Sequence, residues 1–139
     1  ENHQAINAWL DDSQLTNIKK PIALDVACDS WPNQKFDSVF SANTAHIMAW
    51  HEVELMFQGV AKNLTSQGLF MLYGPFNYNG EFSSESNQQF DVWLKQQAPH
   101  RGIRDFEALD KLANHGGMQL LNDVTMPANN RLLIWQKKN

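Results

Sequence analysis

One run of residues, GLFMLYGPF at Gly68–Phe76, is almost entirely apolar and constrains the fold of this chain more than any other stretch. A strand that faces water on one side alternates apolar and polar residues, whereas a strand covered on both faces does not. The run therefore predicts a strand inside a sheet with helices on both sides. That arrangement is a three-layer α/β sandwich.

Predicted strands and helices alternate around this run. Two further strands are predicted at Ile22–Cys28, as a buried strand, and at Phe36–Ala42. Apolar residues at helical spacing predict helices at Asn2–Leu10, Trp50–Leu64 and Asp105–His115. A further helix is predicted to start from a cap at Ser83 or Ser84 and to run to Gln97, with Phe90, Trp93 and Leu94 buried. Two final runs, MQLLNDVTM and RLLIWQK, predict an antiparallel hairpin. We expect a single domain over residues 1–139, with one antiparallel strand in an otherwise parallel sheet.

Charge and composition limit the classes of partner. The net charge is -4 and the eleven Lys and Arg residues are scattered, which disfavours binding to a nucleic-acid backbone. No apolar run is long enough to span a membrane, and the N-terminal residues do not form a signal peptide. The single cysteine, Cys28, excludes an internal disulfide and fits a reducing compartment. We therefore expect a cytoplasmic protein with a small or neutral partner.

Two short segments look catalytic but lack the residues that the chemistry needs. HEVEL at His51–Leu55 begins like a zinc motif, but H-E-x-x-H requires a second histidine where Leu55 stands, so no metal site is predicted. The serines of SSES lack the G-x-S-x-G context of a nucleophile, and we interpret them as helix caps.

Three polar residues follow the Phe36–Ala42 strand, where it gives way to a helix: Asn43, Thr44 and His46. Open α/β sheets bind ligands at the carboxyl ends of their strands, so these side chains are candidates for a site. A neutral imidazole can accept a proton near pH 7, which makes His46 a candidate general base. The alternative is a histidine whose ring is hydrogen-bonded to the backbone at a helix start.

Several short motifs occur in order from residue 24 to the C-terminus: LDV at Leu24–Val26, N-x-x-H-I at Asn43–Ile47 with Trp50, YGPF at Tyr73–Phe76, Ser86-Asn87 with Phe90-Asp91, GIRD at Gly102–Asp105 and MPANN at Met126–Asn130. Together they resemble the family of methyltransferase-like protein 26 and its bacterial relatives, within the class I methyltransferases that use S-adenosylmethionine. The resemblance implies a Rossmann-like sheet. No G-x-G-x-G turn occurs, so the chain is similar to the back portion of that domain, truncated at its N-terminus.

The same resemblance implies a cofactor, S-adenosylmethionine, and a small-molecule methyl acceptor. It places Asp25 and Val26 against the adenine, and Asn43 and Thr44 near the reacting sulfonium. The residues that it places near the acceptor are Tyr73, Pro75, Phe76, Asn87, Arg104, Asn129 and Asn130. Plainer roles are also open: Asp25 as the cap of a turn, Arg104 as a local ion pair or helix cap, and Asn129 as a turn residue.

Two functions remain from the sequence. The first is a methyltransferase present as a fragment that is not expected to bind cofactor alone; the second is a non-catalytic α/β interaction module. In either case, strands missing from the front of the sheet would leave unpaired edges at the Ile22 and Phe36 strands. Such edges recruit other strands, so we expect a homodimer.

Overall fold

The computed structural model describes residues 2–139. Along that range the elements are α1 (Asn2–Ser13), β1 (Phe36–Ala42), α2 (Trp50–Asn63), β2 (Leu64–Gly74), β3 (Phe76–Asn77), α3 (Glu85–Gln97), β4 (Arg104–Asp105), α4 (Phe106–His115), β5 (Met118–Met126) and β6 (Asn130–Lys137). The four predicted helices and the terminal hairpin are confirmed, with ends that shift by a few residues.

The main sheet has four strands in the order β1-β2-β6-β5. β1 and β2 are parallel, whereas β6 is antiparallel to both of its neighbours. The hairpin therefore places one antiparallel strand in an otherwise parallel sheet, as the sequence predicted. A second, two-stranded sheet pairs β3 with β4 in parallel.

Helices α2 and α4 cover one face of the main sheet and enclose the hydrophobic core. The stripe of α2 buries Phe57, whose ring lies edge-on to Phe70 of β2 at 5.1 Å and to Trp135 of β6 at 5.5 Å. Leu72 and Leu133 extend this layer and are fully buried. Edge-to-face rings at these distances add about 0.5–1.5 kcal/mol to the burial of their area.

The opposite face of the sheet is not covered in the same way, so the structure over residues 2–139 has two layers where three were predicted. Side chains alternate between faces along a strand. Phe70 and Leu72 of β2 are fully buried, but Met71 between them remains partly exposed. The residues that share this open face are Phe40, Leu69, Met71, Tyr73, Leu132 and Ile134, and none of them belongs to the core cluster.

The predicted buried strand at Ile22–Cys28 is wrong. These residues form an extended segment that ends in a turn, and Ile22 is 64% exposed. A strand must exchange backbone hydrogen bonds with a neighbour, and β2 is the one strand of the described residues that pairs with β1. The preceding helix, α1, likewise buries no residue, and its Trp9 is 75% exposed.

Helix α3 begins as predicted, because the Ser84 hydroxyl accepts a hydrogen bond from the Asn87 backbone N–H at 3.1 Å. Its buried face differs from the prediction. Leu94 is buried, but Trp93 is 51% exposed, and the polar residues Asn87 and Asp91 are buried instead. This helix therefore turns its polar side towards the protein, at the edge where the candidate site lies.

Candidate functional site

A cavity of about 480 Å³ lies beside the carboxyl ends of β1 and β2. Four separate segments of the chain line it: the loop after β1, the end of β2, the first turns of α3, and the hairpin loop. The lining residues are Asn43, His46, Pro75, Ser86, Asn87, Phe90, Ala128, Asn129 and Asn130. The structure thus brings together six residues that the sequence singled out: Asn43, His46, Pro75, Asn87, Asn129 and Asn130.

The loop after β1 places two of these side chains over the end of β2. Asn43 has a positive φ of 58°, a conformation that asparagine adopts more readily than most residues. Its N–H donates to the Tyr73 carbonyl at 2.9 Å, which ties the loop to β2. A Cβ placed on Gly74 would lie 3.8 Å from His46 Nδ1 and 4.0 Å from Asn43 Oδ1, so both atoms face the same point.

The His46 ring is buried, but its nitrogens have no hydrogen-bond partner among the described residues. His46 is 7% exposed as a whole residue, and its ring nitrogens make no hydrogen bond to any residue within 2–139. The ring instead contacts Phe90 edge-on, with centroids 5.4 Å apart. Burial, and then the positive charge of Arg104, lower the pKa of His46 below its usual value. The imidazole is therefore neutral near pH 7, with nitrogens available to a ligand.

Arg104 holds the His46 loop from behind, rather than lining the cavity. Its Nε donates to the Ala45 carbonyl at 3.0 Å, and its Nη2 donates to the carbonyls of Met48 and His100. Its guanidinium also lies over the Trp50 ring at 5.9 Å from the centroid. These hydrogen bonds to the backbone give Arg104 a positioning role, and its contact with an acceptor stays a prediction.

The segment before Arg104 holds the same loop. The Gly102 N–H donates to the His46 carbonyl at 2.9 Å. The buried Asp91 carboxylate accepts from the Ile103 N–H at 2.8 Å and from Lys95 Nζ at 2.6 Å. A chain of contacts therefore runs from α3 through residues 102–104 to the backbone of His46, and it fixes where the imidazole lies.

The asparagines on the other side of the cavity use their donors within the protein. Asn87 Nδ2 donates to the Ser83 hydroxyl at 2.9 Å and to the Asn129 carbonyl at 3.2 Å. Asn129 Nδ2 donates to the Ser86 hydroxyl at 3.0 Å, and Asn130 Nδ2 donates to a hairpin-loop carbonyl at 3.2 Å. Within the described residues their side-chain oxygens accept no hydrogen bond, so this wall of the cavity offers acceptors.

Three other predicted residues lie near the cavity without lining it. The Thr44 hydroxyl shares a hydrogen bond with the Ser41 hydroxyl, and the Thr44 backbone carbonyl accepts the N–H groups of Ile47 and Met48, which shapes the turn around His46. Phe76 is 2% exposed and belongs to the core. Tyr73 lies on the open face of the sheet, where it pairs with Ala42 in register.

Asp25 and Val26 are not brought to this cavity. Val26 lines a different depression, of about 690 Å³, between residues 26–35 and α2. The Asp25 carboxylate accepts the Ala27 N–H at 2.9 Å, and this backbone hydrogen bond lowers its pKa. Asp25 therefore caps a turn, which was the plainer alternative, and its contact with a cofactor remains a prediction. We assign the site to the smaller cavity because polar side chains converge there from four segments.

Sequence reasoning did not include Ser86, Phe90 and Ala128 among the site residues. Ser86 and Phe90 stand in the motifs Ser86-Asn87 and Phe90-Asp91, so the signal was present. Phe90 was predicted only to be buried on α3, since one apolar residue at helical spacing does not reveal whether it faces the core or a cavity. Ala128 and Asn129 both have a φ of 58°, so the hairpin loop turns sharply at the cavity wall.

Neither a metal cluster nor a membrane span is found in the part of the chain that the structure describes. No group of three or more His, Cys, Asp or Glu side chains is placed to hold a metal ion there. Within residues 2–139, no helix has both the length and the apolar character that crossing a membrane requires.

Comparisons with known proteins give a family and a fold. The model of a family described as a protein of unknown function, DUF938, matches residues 1–137. An O-methyltransferase family protein from Burkholderia thailandensis matches 98% of this chain with 41% of its own, at 12% identity and a TM-score of 0.79. An O-methyltransferase family 2 protein from Planctomyces limnophilus, in complex with apigenin, matches 81% of this chain with 33% of its own, at 12% identity and a TM-score of 0.72.

A third structure is that of CalO1, a methyltransferase in calicheamicin biosynthesis, in a form bound to S-adenosylhomocysteine. It matches 74% of this chain with 30% of its own, at 12% identity and a TM-score of 0.61. At such identities the likeness shows the fold alone: an α/β fold with a mixed sheet, similar to the C-terminal parts of methyltransferase domains. The chain spans less than half the length of each of these proteins.

Proposed function

Because this chain belongs to the DUF938 family, whose description states no function, we propose from its site that it is the back part of a methyltransferase. The enzyme would use S-adenosylmethionine to methylate a small molecule. The observation that carries this proposal is the neutral, unengaged His46 ring in a cavity at the carboxyl ends of the strands. The methyltransferase-like fold supports it.

The donor set of the cavity fits this chemistry in part. S-adenosylmethionine, when bound, supplies a methyl group on a positively charged sulfur. Carboxamide oxygens such as that of Asn43, and the face of Phe90, are groups that stabilise a cation of this kind. The residues proposed for the adenine, Asp25 and Val26, lie elsewhere. This chain therefore contributes the acceptor side of the site, and cofactor binding is proposed for a longer form.

The residues of this chain have two tasks in the reaction. Methyl transfer to a hydroxyl forms an O–C bond, breaks a S–C bond and releases the hydroxyl proton. His46 accepts that proton, since its ring is neutral near pH 7 and makes no competing hydrogen bond within residues 2–139. The asparagine oxygens orient the acceptor, and such positioning accounts for much of the rate of a direct displacement.

The finer assignment follows from the motifs. We propose that the chain is related to the family of methyltransferase-like protein 26, on the strength of Asn43–Ile47, Gly102–Asp105 and Met126–Asn130. In the structure these motifs meet: Arg104 binds the loop after Asn43, and Asn129 lies across the cavity from it. A cytoplasmic location stays a prediction from the single Cys28, and the non-catalytic interaction module stays the second candidate.

Calorimetric titration with S-adenosylhomocysteine tests the proposed function. The experiment compares residues 1–139 with the longest form of the protein that its gene encodes. We expect the longest form to bind and residues 1–139 to bind far more weakly or not at all, because Asp25 and Val26 do not reach the cavity here. Absence of binding by the longest form would contradict the methyltransferase and favour the interaction module.

We also propose that residues 1–139 alone form a two-fold dimer through the open face of the sheet. Phe40, Met71 and Ile134 lie side by side across three strands of that face, and Phe40 is 61% exposed. Helix α1 carries the apolar residues Ile6 and Trp9, which the rest of the chain leaves exposed. At roughly 18 Å, α1 is long enough to span the width of four strands, roughly 14 Å, so α1 of one copy would cover the open face of the other.

Light scattering at low micromolar concentration tests the dimer. Trp9→Glu should give a monomer, because it places a charge in the interface. Trp93→Glu is the matched control: this tryptophan is 51% exposed on α3 and should leave the dimer intact. A wild-type monomer, or a Trp9→Glu variant that stays dimeric, would show that α1 does not cover the open face.

A further inference from the structure

We propose that the cavity at His46 selects an uncharged small molecule with a phenol-type hydroxyl and discriminates against anions. This inference names the acceptor class for the proposed function and rests on that function for the reaction, but it concerns binding. The cavity volume of about 480 Å³ suits a ligand of one or two rings, since small-molecule sites are typically about 300–1,000 Å³.

The wall of the cavity carries no formal charge. The residues that line the cavity include no Lys, Arg, Asp or Glu. The nearby cation, Arg104, does not line the cavity, and its Nε and Nη2 donate to the carbonyls of Ala45, Met48 and His100. A carboxylate or phosphate bound here would lose its hydration without a cationic side chain in direct contact, which carries a large cost. The cavity therefore favours an uncharged ligand.

The cavity wall offers several hydrogen-bond acceptors. Asn87 uses both of its amide N–H groups within the protein, and Asn129 and Asn130 each use one; the side-chain oxygens of all three accept no hydrogen bond within the described residues. The His46 ring adds a nitrogen lone pair. A wall rich in acceptors is satisfied by a ligand that donates, because a buried acceptor without a partner costs about 1–3 kcal/mol. A hydroxyl is a neutral group that can donate here and can also receive a methyl group.

The apolar side of the cavity favours an aromatic ring. Phe90 stacks on the exposed Trp93 with centroids 5.8 Å apart and an interplanar angle of 13°. Together with Pro75 it forms a flat apolar wall beside His46. An aromatic hydroxyl also suits the base, because its pKa is about 10, far closer to that of imidazole than the pKa of an aliphatic alcohol.

Three small probes of similar shape separate these features: 4-hydroxybenzamide, which is a neutral phenol, 4-hydroxybenzoate, which is an anion, and benzamide, which lacks the hydroxyl. Each is titrated into residues 1–139 while the ¹H–¹⁵N NMR signals of Asn43, His46 and Asn87 are followed. We expect 4-hydroxybenzamide to shift these signals with a Kd at least ~10-fold lower than either other probe. Equal or tighter binding of the anion, equal binding of benzamide, or no shift with any probe would overturn the proposal.

A charge-reversal variant makes the test independent of weak affinity. Asn130→Lys places a cation at the cavity wall and should invert the preference, so that 4-hydroxybenzoate binds more tightly than 4-hydroxybenzamide. Asn33→Lys, on a loop that lines the other depression, is the matched control and should leave the preference unchanged. An unchanged preference in Asn130→Lys, with the remaining signals intact, would place the probes outside this cavity.

These outcomes are separable from failure of the proposed function. The probe titrations need no cofactor, so they can succeed even if the longest form of the protein binds no S-adenosylhomocysteine. In that case the cavity would bind neutral phenols without methylating them. Conversely, cofactor binding together with a preference for the anionic probe would retain the methyltransferase and overturn only the acceptor class.

Discussion

Trp135→Ala should lower the free energy of unfolding by about 3–5 kcal/mol, the cost of removing a large aromatic side chain from a packed core. Trp135 is fully buried on β6, where its ring contacts those of Phe57 and Phe70. Its Nε1 also donates to the Asp110 carboxylate at 2.9 Å, so the substitution removes a hydrogen bond as well as the contacts with both phenylalanine rings. Urea denaturation followed by circular dichroism measures the loss.

The matched control is Trp93→Ala. This tryptophan is 51% exposed on α3 and its ring contact is with Phe90, so we expect a loss of less than about 1.5 kcal/mol. Trp93 was predicted to be buried from its helical spacing, but the structure leaves it half exposed. Similar losses in the two variants would contradict the arrangement of α3 described above.

His46→Ala should lower the rate of methyl transfer by about 10²–10⁴-fold, the range in which a general base contributes. The variant removes the imidazole but leaves the backbone contacts of Gly102 and Arg104 with this loop in place. The measurement is transfer of a labelled methyl group from S-adenosylmethionine to a phenolic acceptor by the longest form of the protein. Cofactor affinity should change little, since His46 acts on the acceptor.

The pH dependence provides a second readout for His46. The base is active when neutral, and burial together with Arg104 lowers its pKa below the usual value. The rate should therefore rise with pH through this lowered pKa and level off by neutral pH. His51→Ala, at an exposed position on α2, is the control and should preserve both the rate and the profile. A wild-type rate in His46→Ala would reduce His46 to a structural residue.

Local sequence patterns were sufficient to predict most of the helices and strands. The α2 stripe, the Ser84 cap and the hairpin at residues 118–137 each depend on residues close in sequence, and each is present in the structure. The order of the four-stranded sheet also agrees with the predicted mixed sheet. Where the strand signal was equally strong but the partner was distant, at Ile22–Cys28, the prediction failed because strand formation requires a neighbour.

The sequence predicted which residues meet at the site, but not which of them face a ligand and which hold the backbone in place. Asn43, His46, Asn87 and Asn129 were chosen from motifs and do converge on one cavity. Nothing in the order of residues indicates that Arg104 spends its donors on carbonyls 56 and 59 positions away. A guanidinium has the same sequence letter whether it binds a ligand or a backbone, and only the tertiary contacts distinguish the two.

The contacts of residues 102–104 with the His46 loop allow the cavity to open locally while the main sheet stays folded. The loop is held by Gly102 and Arg104, which belong to a segment outside the four-stranded sheet. If this segment detaches, the imidazole loses its fixed position while the packing of β2 against α2 is unaffected. The geometry needed for chemistry can thus be lost and regained at a free energy below that of global unfolding. A ligand that orders the cavity should therefore first protect the backbone amides of residues 102–104 from hydrogen exchange, although these residues are far along the chain from the histidine.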